Sequence, residues 1–232
     1  MGNFGIVGVR AAKRLAALML AAAVAIAFVA GVPDGAHAAQ RPQDLAESLR
    51  EGGFVLYVRH GEANVGEDRP DADFADCGSQ RNLSEAGRRQ AASFGQALRE
   101  LRIPVRTPVE ASPFCRTRET AALAFGRGNV DIQPFWASVS RLSGPISEAE
   151  RTETLEAVSA RLEVPPLPGT NRVVVAHGFP AGAGLGPIPD MGAVVVKPNG
   201  RGRAYEIVGR LSVEELLQLA KRSPPVLYPK RS

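Results

Sequence analysis

Cysteine and histidine are scarce: the 232 residues hold 2 Cys, Cys77 and Cys115, and 3 His, His37, His60 and His177. No histidine stands at metal-ligand spacing from a cysteine or another histidine, so a zinc centre lacks its ligand pattern. Lysine is rare too, 4 of the 28 basic residues, the rest being arginine. The formal charge of +4 includes no run of one sign, which leaves a nucleic-acid-binding tail without support. There is no internal repeat, no low-complexity stretch, no Gly-x-Ser-x-Gly elbow and no Gly-x-x-x-x-Gly-Lys-Ser/Thr loop. What is present is 44% hydrophobic and 22% charged residues, which excludes a disordered or fibrous chain and suits one or at most two domains. The arginine excess suits guanidinium recognition of phosphate or carboxylate groups, with biased codon usage as the plainer reading for most of these residues.

One long apolar run exists, and it is N-terminal. Arg10, Lys13 and Arg14 precede an apolar stretch from Leu15 to Val32, and Ala36-His37-Ala38 sets small residues where a signal peptidase reads. Residues 1–38 are therefore expected to be a signal peptide cleaved after Ala38, with a retained membrane anchor as the alternative. Residues 39–232 are expected to form a single domain, exported to the periplasm or secreted, near neutral and without membrane contact once the leader is gone. Both cysteines lie in that part, and an oxidising compartment favours a Cys77–Cys115 disulfide over two buried thiols.

Beyond the leader, apolar runs alternate with amphipathic ones. Strand patterns fall at Phe54–Val58, Pro108–Ala111, Val130–Gln133 and Arg172–Ala176, with a strand pair Val194–Lys197 and Ala204–Val208 across Pro198-Asn199-Gly200. Helix patterns fall at Asp44–Arg50, from the N-cap Ser84 to about Leu101, from Ser112-Pro113 through Ala124, from Ser147 to about Leu162, and at Ser212–Arg222. Such alternation predicts a mixed sheet, parallel at its centre, with helices on both faces.

Two of the strands end alike. Phe54-Val-Leu-Tyr-Val58 runs into Arg59-His60-Gly61, and Val173-Val-Val-Ala176 runs into His177-Gly178. In an open parallel sheet the ligand crevice lies beyond the carboxyl ends of the strands, so both histidines are expected at one edge. A satisfied core histidine is the usual reading of a lone His; two with matching contexts favour function. A third segment, Ser112-Pro113-Phe114-Cys115-Arg116-Thr117-Arg118-Glu119-Thr120, sits where a strand meets a helix N-terminus. That end of a helix attracts anions, and Arg116 adds a planar fork for phosphate oxygens.

These residues resemble the histidine phosphatase superfamily, which includes the cofactor-dependent phosphoglycerate mutases. The family's Arg-His-Gly stands as Arg59-His60-Gly61, its Ser-Pro-x-x-Arg-x-x-x-Thr as the segment from Ser112 to Thr120, and its second His as His177-Gly178. Leu83-Ser84-Glu85-Ala86-Gly87 is similar to the family's Leu-Thr/Ser-x-x-Gly helix start. The resemblance implies a three-layer α/β/α sandwich with a mostly parallel central sheet. It also implies catalysis through phosphohistidine, with His60 as nucleophile, Arg59, Arg116 and His177 binding the phosphoryl group, and no metal or other cofactor. Neutral imidazole is nucleophilic near pH 7 without an adjacent base, and fixed cations around the equatorial oxygens are the main stabilising device.

The mutase branch places a Glu after Arg-Leu-x, whereas Arg141-Leu142 is followed here by Ser143-Gly144. A small phosphomonoesterase acting on a small-molecule or envelope phosphate ester is therefore favoured. A phospho-ligand-binding protein without turnover and a mutase-like phosphotransferase are the alternatives. A cysteine phosphatase fails for want of Cys-x5-Arg, since Leu83 and Ala121 occupy the sixth positions after the two cysteines. The leaving oxygen needs an acid, and Asp190, in Pro187-Ile-Pro-Asp190-Met-Gly192 after His177, is the expected one, with Glu62 and Glu148 next. A turn role for Asp190 is the competing reading. Arg81 and Asn64 suit either the pocket entrance or a plain turn.

Overall fold

A computed structural model describes residues 41–222; the expected signal peptide, 1–38, lies outside the described residues. The elements in order are α1 (Pro42–Glu51), β1 (Val55–Arg59), α2 (Glu85–Glu100), β2 (Val109–Ala111), α3 (Cys115–Phe125), β3 (Val130–Ile132), α4 (Ser138–Arg141), α5 (Glu148–Leu162), β4 (Arg172–Ala176), β5 (Ala193–Pro198), β6 (Tyr205–Leu211) and α6 (Val213–Arg222). The six strands form one sheet in the order β3-β2-β4-β1-β5-β6. β1 to β4 run parallel, β5 is antiparallel to β1, and β6 antiparallel to β5. This is the mixed sheet, parallel at its centre, that the sequence predicts.

Alternation along each strand divides the core between two faces. Leu56 and Val58 of β1, Val173 and Val175 of β4, and Ala193 and Val195 of β5 pack under α1, α2 and α6, against Leu45, Leu49, Phe94, Leu98 and Leu216. Their neighbours Val55, Tyr57, Val174, Ala176, Val194 and Val196 face Trp136, Val139, Val158 and Leu162 on the other side. A strand buried on both faces has no polar positions, which is why β1 and β4 read as continuous apolar runs. The result is a three-layer α/β/α sandwich.

Helix starts follow the predicted caps at three places. Ser84 Oγ accepts from Gly87 N–H at 3.0 Å, Ser147 Oγ from Glu150 N–H at 3.1 Å, and Ser212 Oγ from Glu215 N–H at 3.1 Å. Glu215 returns the bond to Ser212 N–H at 2.8 Å, completing a capping box. The fourth start differs from expectation. α3 begins at Cys115 after Phe114, with no side-chain cap, because the Ser112 hydroxyl bonds His177 Nε2 at 3.0 Å instead. Sequence periodicity also misses α4 and the turn Pro134–Ala137 before it, elements of 4 residues each.

The Cys77–Cys115 disulfide is formed, with an S–S distance of 2.01 Å and Cα atoms 5.7 Å apart. It fastens the long loop between β1 and α2 to the first residue of α3. Gln80 adds a second tie: its Oε1 accepts from Cys115 N–H at 2.8 Å. Cross-linking at a separation of 38 residues constrains the unfolded chain by about 4 kcal/mol in the loop-entropy model. The paired Cys77→Ser, Cys115→Ser variant should accordingly unfold at much lower denaturant. An unchanged midpoint would show that the loop is held without the bond.

Candidate active site

β4 lies between β1 and β2, so three neighbouring parallel strands end at one edge of the sheet. β1 delivers Arg59 and His60, β4 delivers His177, and β2 delivers Ser112. The two imidazoles sit edge to face with centroids 5.6 Å apart, His60 3% and His177 4% exposed. His60 Nδ1 lies 2.7 Å from Gly61 O. A carbonyl only accepts, so Nδ1 carries the proton and the lone pair is left on Nε2. The Tyr57 hydroxyl donates to His177 O at 2.8 Å, pinning the second histidine from behind.

Gly61 and Gly87 have a packing reason rather than a turn reason. A Cβ on Gly61 would stand 2.6 Å from Gly87 O, and one on Gly87 only 2.0 Å from Glu62 O. The loop carrying His60 therefore lies directly on the first turn of α2, where only glycine fits. Thr120 secures the same loop from α3: its Oγ1 accepts from Gly61 N–H at 3.2 Å and donates to Arg116 O at 2.7 Å.

Arg59, His60, Arg81, Arg116 and His177 line one cavity of about 300 Å³, together with Ser140, Ser143 and the segment Gly178, Phe179, Pro187 and Ile188. Of the two entrance candidates, Arg81 is in this cavity and Asn64 is not. Burial lowers the His60 pKa to about 3, with the nearby charges of Arg116, Arg59 and Arg81 pushing the same way and the Gly61 carbonyl opposing. Burial likewise holds His177 well below the ordinary imidazole value, followed by His60 and the same three arginines. Both rings are neutral at pH 7, and the cavity's positive charge comes from the guanidinium groups.

Two arginines are held by carboxylates. Arg59 Nη2 pairs with Asp190 Oδ1 at 3.0 Å while its Nη1 donates to Ile188 O at 2.8 Å. Arg116, 5% exposed at its side chain, forms a two-toothed pair with Asp68, Nη1 to Oδ1 at 2.8 Å and Nη2 to Oδ2 at 3.0 Å. Its Nε is buried without a hydrogen-bond partner. Burial acts to raise the Asp68 pKa, but the Arg116 guanidinium and the Arg81 N–H outweigh it and hold the carboxyl below the usual range.

The expected acid does not reach the cavity wall. Asp190 stands behind Arg59, Glu62 Oε1 accepts from Ser84 Oγ at 2.6 Å, and Glu148 is 85% exposed beside Arg151. Among the described residues lining the cavity, none is Asp or Glu. The α3 N-terminus is also less free than the sequence implies, because Gln80 takes its first amide.

The model of the histidine phosphatase superfamily (branch 1) matches residues 55–137, the span that holds Arg59-His60-Gly61 and Ser112 to Thr120. Over that span the chain is similar to the histidine phosphatase superfamily. A search of curated proteins finds no match. Solved structures with a similar course include phosphoserine phosphatase from Entamoeba histolytica in complex with 3-phosphoglyceric acid, at 16% identity, 70% of this chain, 98% of that chain and a TM-score of 0.47. Another is a mycobacterial glucosyl-3-phosphoglycerate phosphatase with inorganic phosphate, at 17% identity, 70% and 99% coverage and a TM-score of 0.47.

The Glu that the mutase pattern carries after Arg-Leu-x falls at Gly144 here, and the structure shows what stands beside it. Ser143 lines the cavity, with Ser140 one helical turn before it. Sequence reasoning named Ser143 only as part of the departure from the mutase pattern, and it missed Ser140 and Asp68, which no motif marks.

Proposed function

We propose that the protein is a phosphomonoesterase that works through phosphohistidine on His60 and needs no metal or other cofactor. The observation that carries this is a buried neutral imidazole, with Nδ1 committed to Gly61 O, inside a cavity walled by three guanidinium groups. Nε2 attacks phosphorus, the ester P–O bond breaks, and the departing oxygen takes up a proton. Water then attacks the P–N bond, releasing inorganic phosphate and restoring neutral His60. Arg59, Arg81, Arg116 and His177 hold the equatorial oxygens through both transfers. With Gly144 where the mutase branch has a carboxylate, transfer to water is favoured over transfer to a second sugar or acid hydroxyl. Export to an oxidising compartment is part of the same proposal and is supported by the Cys77–Cys115 bond.

The deciding experiment is a p-nitrophenyl phosphate assay on purified protein, with acid-labile phosphate trapped by rapid quench. Turnover with a trapped phosphoenzyme supports the reading. Phosphate binding without turnover would make the protein a phospho-ligand-binding module.

The role of Asp190 follows from its contact. We assign it the positioning of Arg59 rather than proton donation. Asp190→Asn should raise KM and lower kcat/KM about tenfold, the loss of one charge-assisted bond, and equally for p-nitrophenyl and simple alkyl phosphates. A selective loss on the alkyl ester, whose leaving group depends on protonation, would restore Asp190 as the acid.

A further inference from the structure

A second cavity, of about 390 Å³, adjoins the phosphate cavity and is walled by Phe74, Phe114, Pro134 and Phe135. Ser140 lines both. Phe114 is the partition between them: its ring stands 4.8 Å from His177 on one side and 5.0 Å from Phe74 on the other, both edge to face. The Arg116 guanidinium lies 4.3 Å from the same ring centroid. Phe74 is 40% exposed, unusual for a large apolar side chain in a loop that the disulfide holds in place. Ring-sized apolar volume next to a phosphate site can take only the organic part of the ester. Aromatic edges and faces suit a flat ring there.

An independent observation points to the same class of substrate. No carboxylate among the described residues lines the phosphate cavity, and Asp190 and Asp68 are each engaged by an arginine. An alkoxide leaves poorly without an acid, whereas a phenolic oxygen, with a pKa of about 10, leaves far more readily.

We propose that the Phe74–Phe114–Phe135 cavity is the leaving-group subsite and that the substrate class is small aryl phosphate monoesters. This rests on the phosphatase reading and adds the identity of the alcohol. Phosphate held among Arg59, Arg81, Arg116 and His177 places its ester oxygen toward Ser140, and the ring passes Phe114 into the aromatic cavity.

The test separates ring binding from leaving-group chemistry. Values of kcat/KM are compared for 2-phenylethyl and ethyl phosphate, both alkoxide leaving groups, and Kd values for phenylphosphonate and methylphosphonate are measured by calorimetry, which needs no turnover. Burial of the ring predicts a preference of about 10- to 100-fold for the ring-bearing member of each pair. Phe74→Ala should shrink both preferences to a few fold, and Ser138→Trp, which fills the cavity from α4, should do the same. Equal values within each pair for the wild type, or preferences undiminished in both variants, overturn the subsite. Hydrolysis without aryl preference sinks the subsite and leaves the phosphatase standing. Ring-selective phosphonate binding with no hydrolysis even of p-nitrophenyl phosphate does the reverse. Failure to bind either phosphonate removes both.

Discussion

Replacing His60 by alanine should reduce hydrolysis by several orders of magnitude, as removal of a covalent nucleophile does, and should abolish the acid-labile phosphate trapped on the wild type. The expectation rests on Nε2, the only His60 nitrogen not committed to the protein once Nδ1 has bonded Gly61 O. The loop should keep its shape in the variant, since Gly61 on Gly87 and Thr120 on Gly61 N–H hold it without the imidazole. Near-wild-type turnover with an intact circular dichroism spectrum would exclude phosphohistidine on this residue.

The same burial gives His60 a stability signature. Its folded pKa of about 3 lies below the ordinary imidazole value of 6.5, and His177 shifts the same way. Between those limits the unfolded chain binds protons that the folded chain refuses, so stability falls as pH drops below about 6.5. His60→Ala removes one such group, and its melting temperature should fall less steeply between pH 6.5 and pH 4 than that of the wild type. Equal slopes would mean that His60 is not held neutral by the fold.

How legible the molecule is from its residues depends on whether the decisive contact is local. β1 and β4 are readable because burial on both faces leaves only apolar positions, and the helix caps at Ser84, Ser147 and Ser212 because donor and acceptor lie within three residues. The two histidines are readable because strand, His and Gly are contiguous. Ser112 misleads because a hydroxyl suited to capping finds a stronger use 65 residues away on His177. Asp68 escapes because its partner Arg116 is 48 residues distant and no spacing rule links them. Asp190 lies in the loop before β5, and its role is decided by its partner, an arginine at the end of β1. The aromatic cavity is drawn from a loop, the lead-in to α3 and the turn before α4, so three phenylalanines that meet in space share no periodicity. Residue chemistry and the strand ends are thus in the sequence, while the pairing of charges across the loop is a property of the fold.

That pairing makes the two members of the Arg116–Asp68 bridge respond differently to truncation. Arg116→Ala should lower kcat/KM by about two orders of magnitude or more, the loss of one transition-state donor group, and Arg116→Lys should recover little, because an ammonium cannot reproduce the fork. The fold should tolerate Arg116→Ala, because the Asp68 left behind is 28% exposed at its side chain and keeps its bond from Arg81 N–H at 2.8 Å. Asp68→Ala is the more damaging change to stability. It leaves a guanidinium with 5% side-chain exposure without its ionic partner, a loss of about 3–5 kcal/mol for a buried pair broken on one side. Phosphate offers the orphaned Arg116 a replacement anion. Millimolar inorganic phosphate should therefore raise the melting temperature of Asp68→Ala by more than it raises that of the wild type, where the ligand must share Arg116 with the carboxylate. Because Arg116→Ala lacks the cation altogether, its phosphate-induced shift should be the smallest of the three. If phosphate stabilises all three proteins equally, Arg116 does not face the phosphoryl group, and the anion site must be built from Arg59, Arg81 and His177 alone.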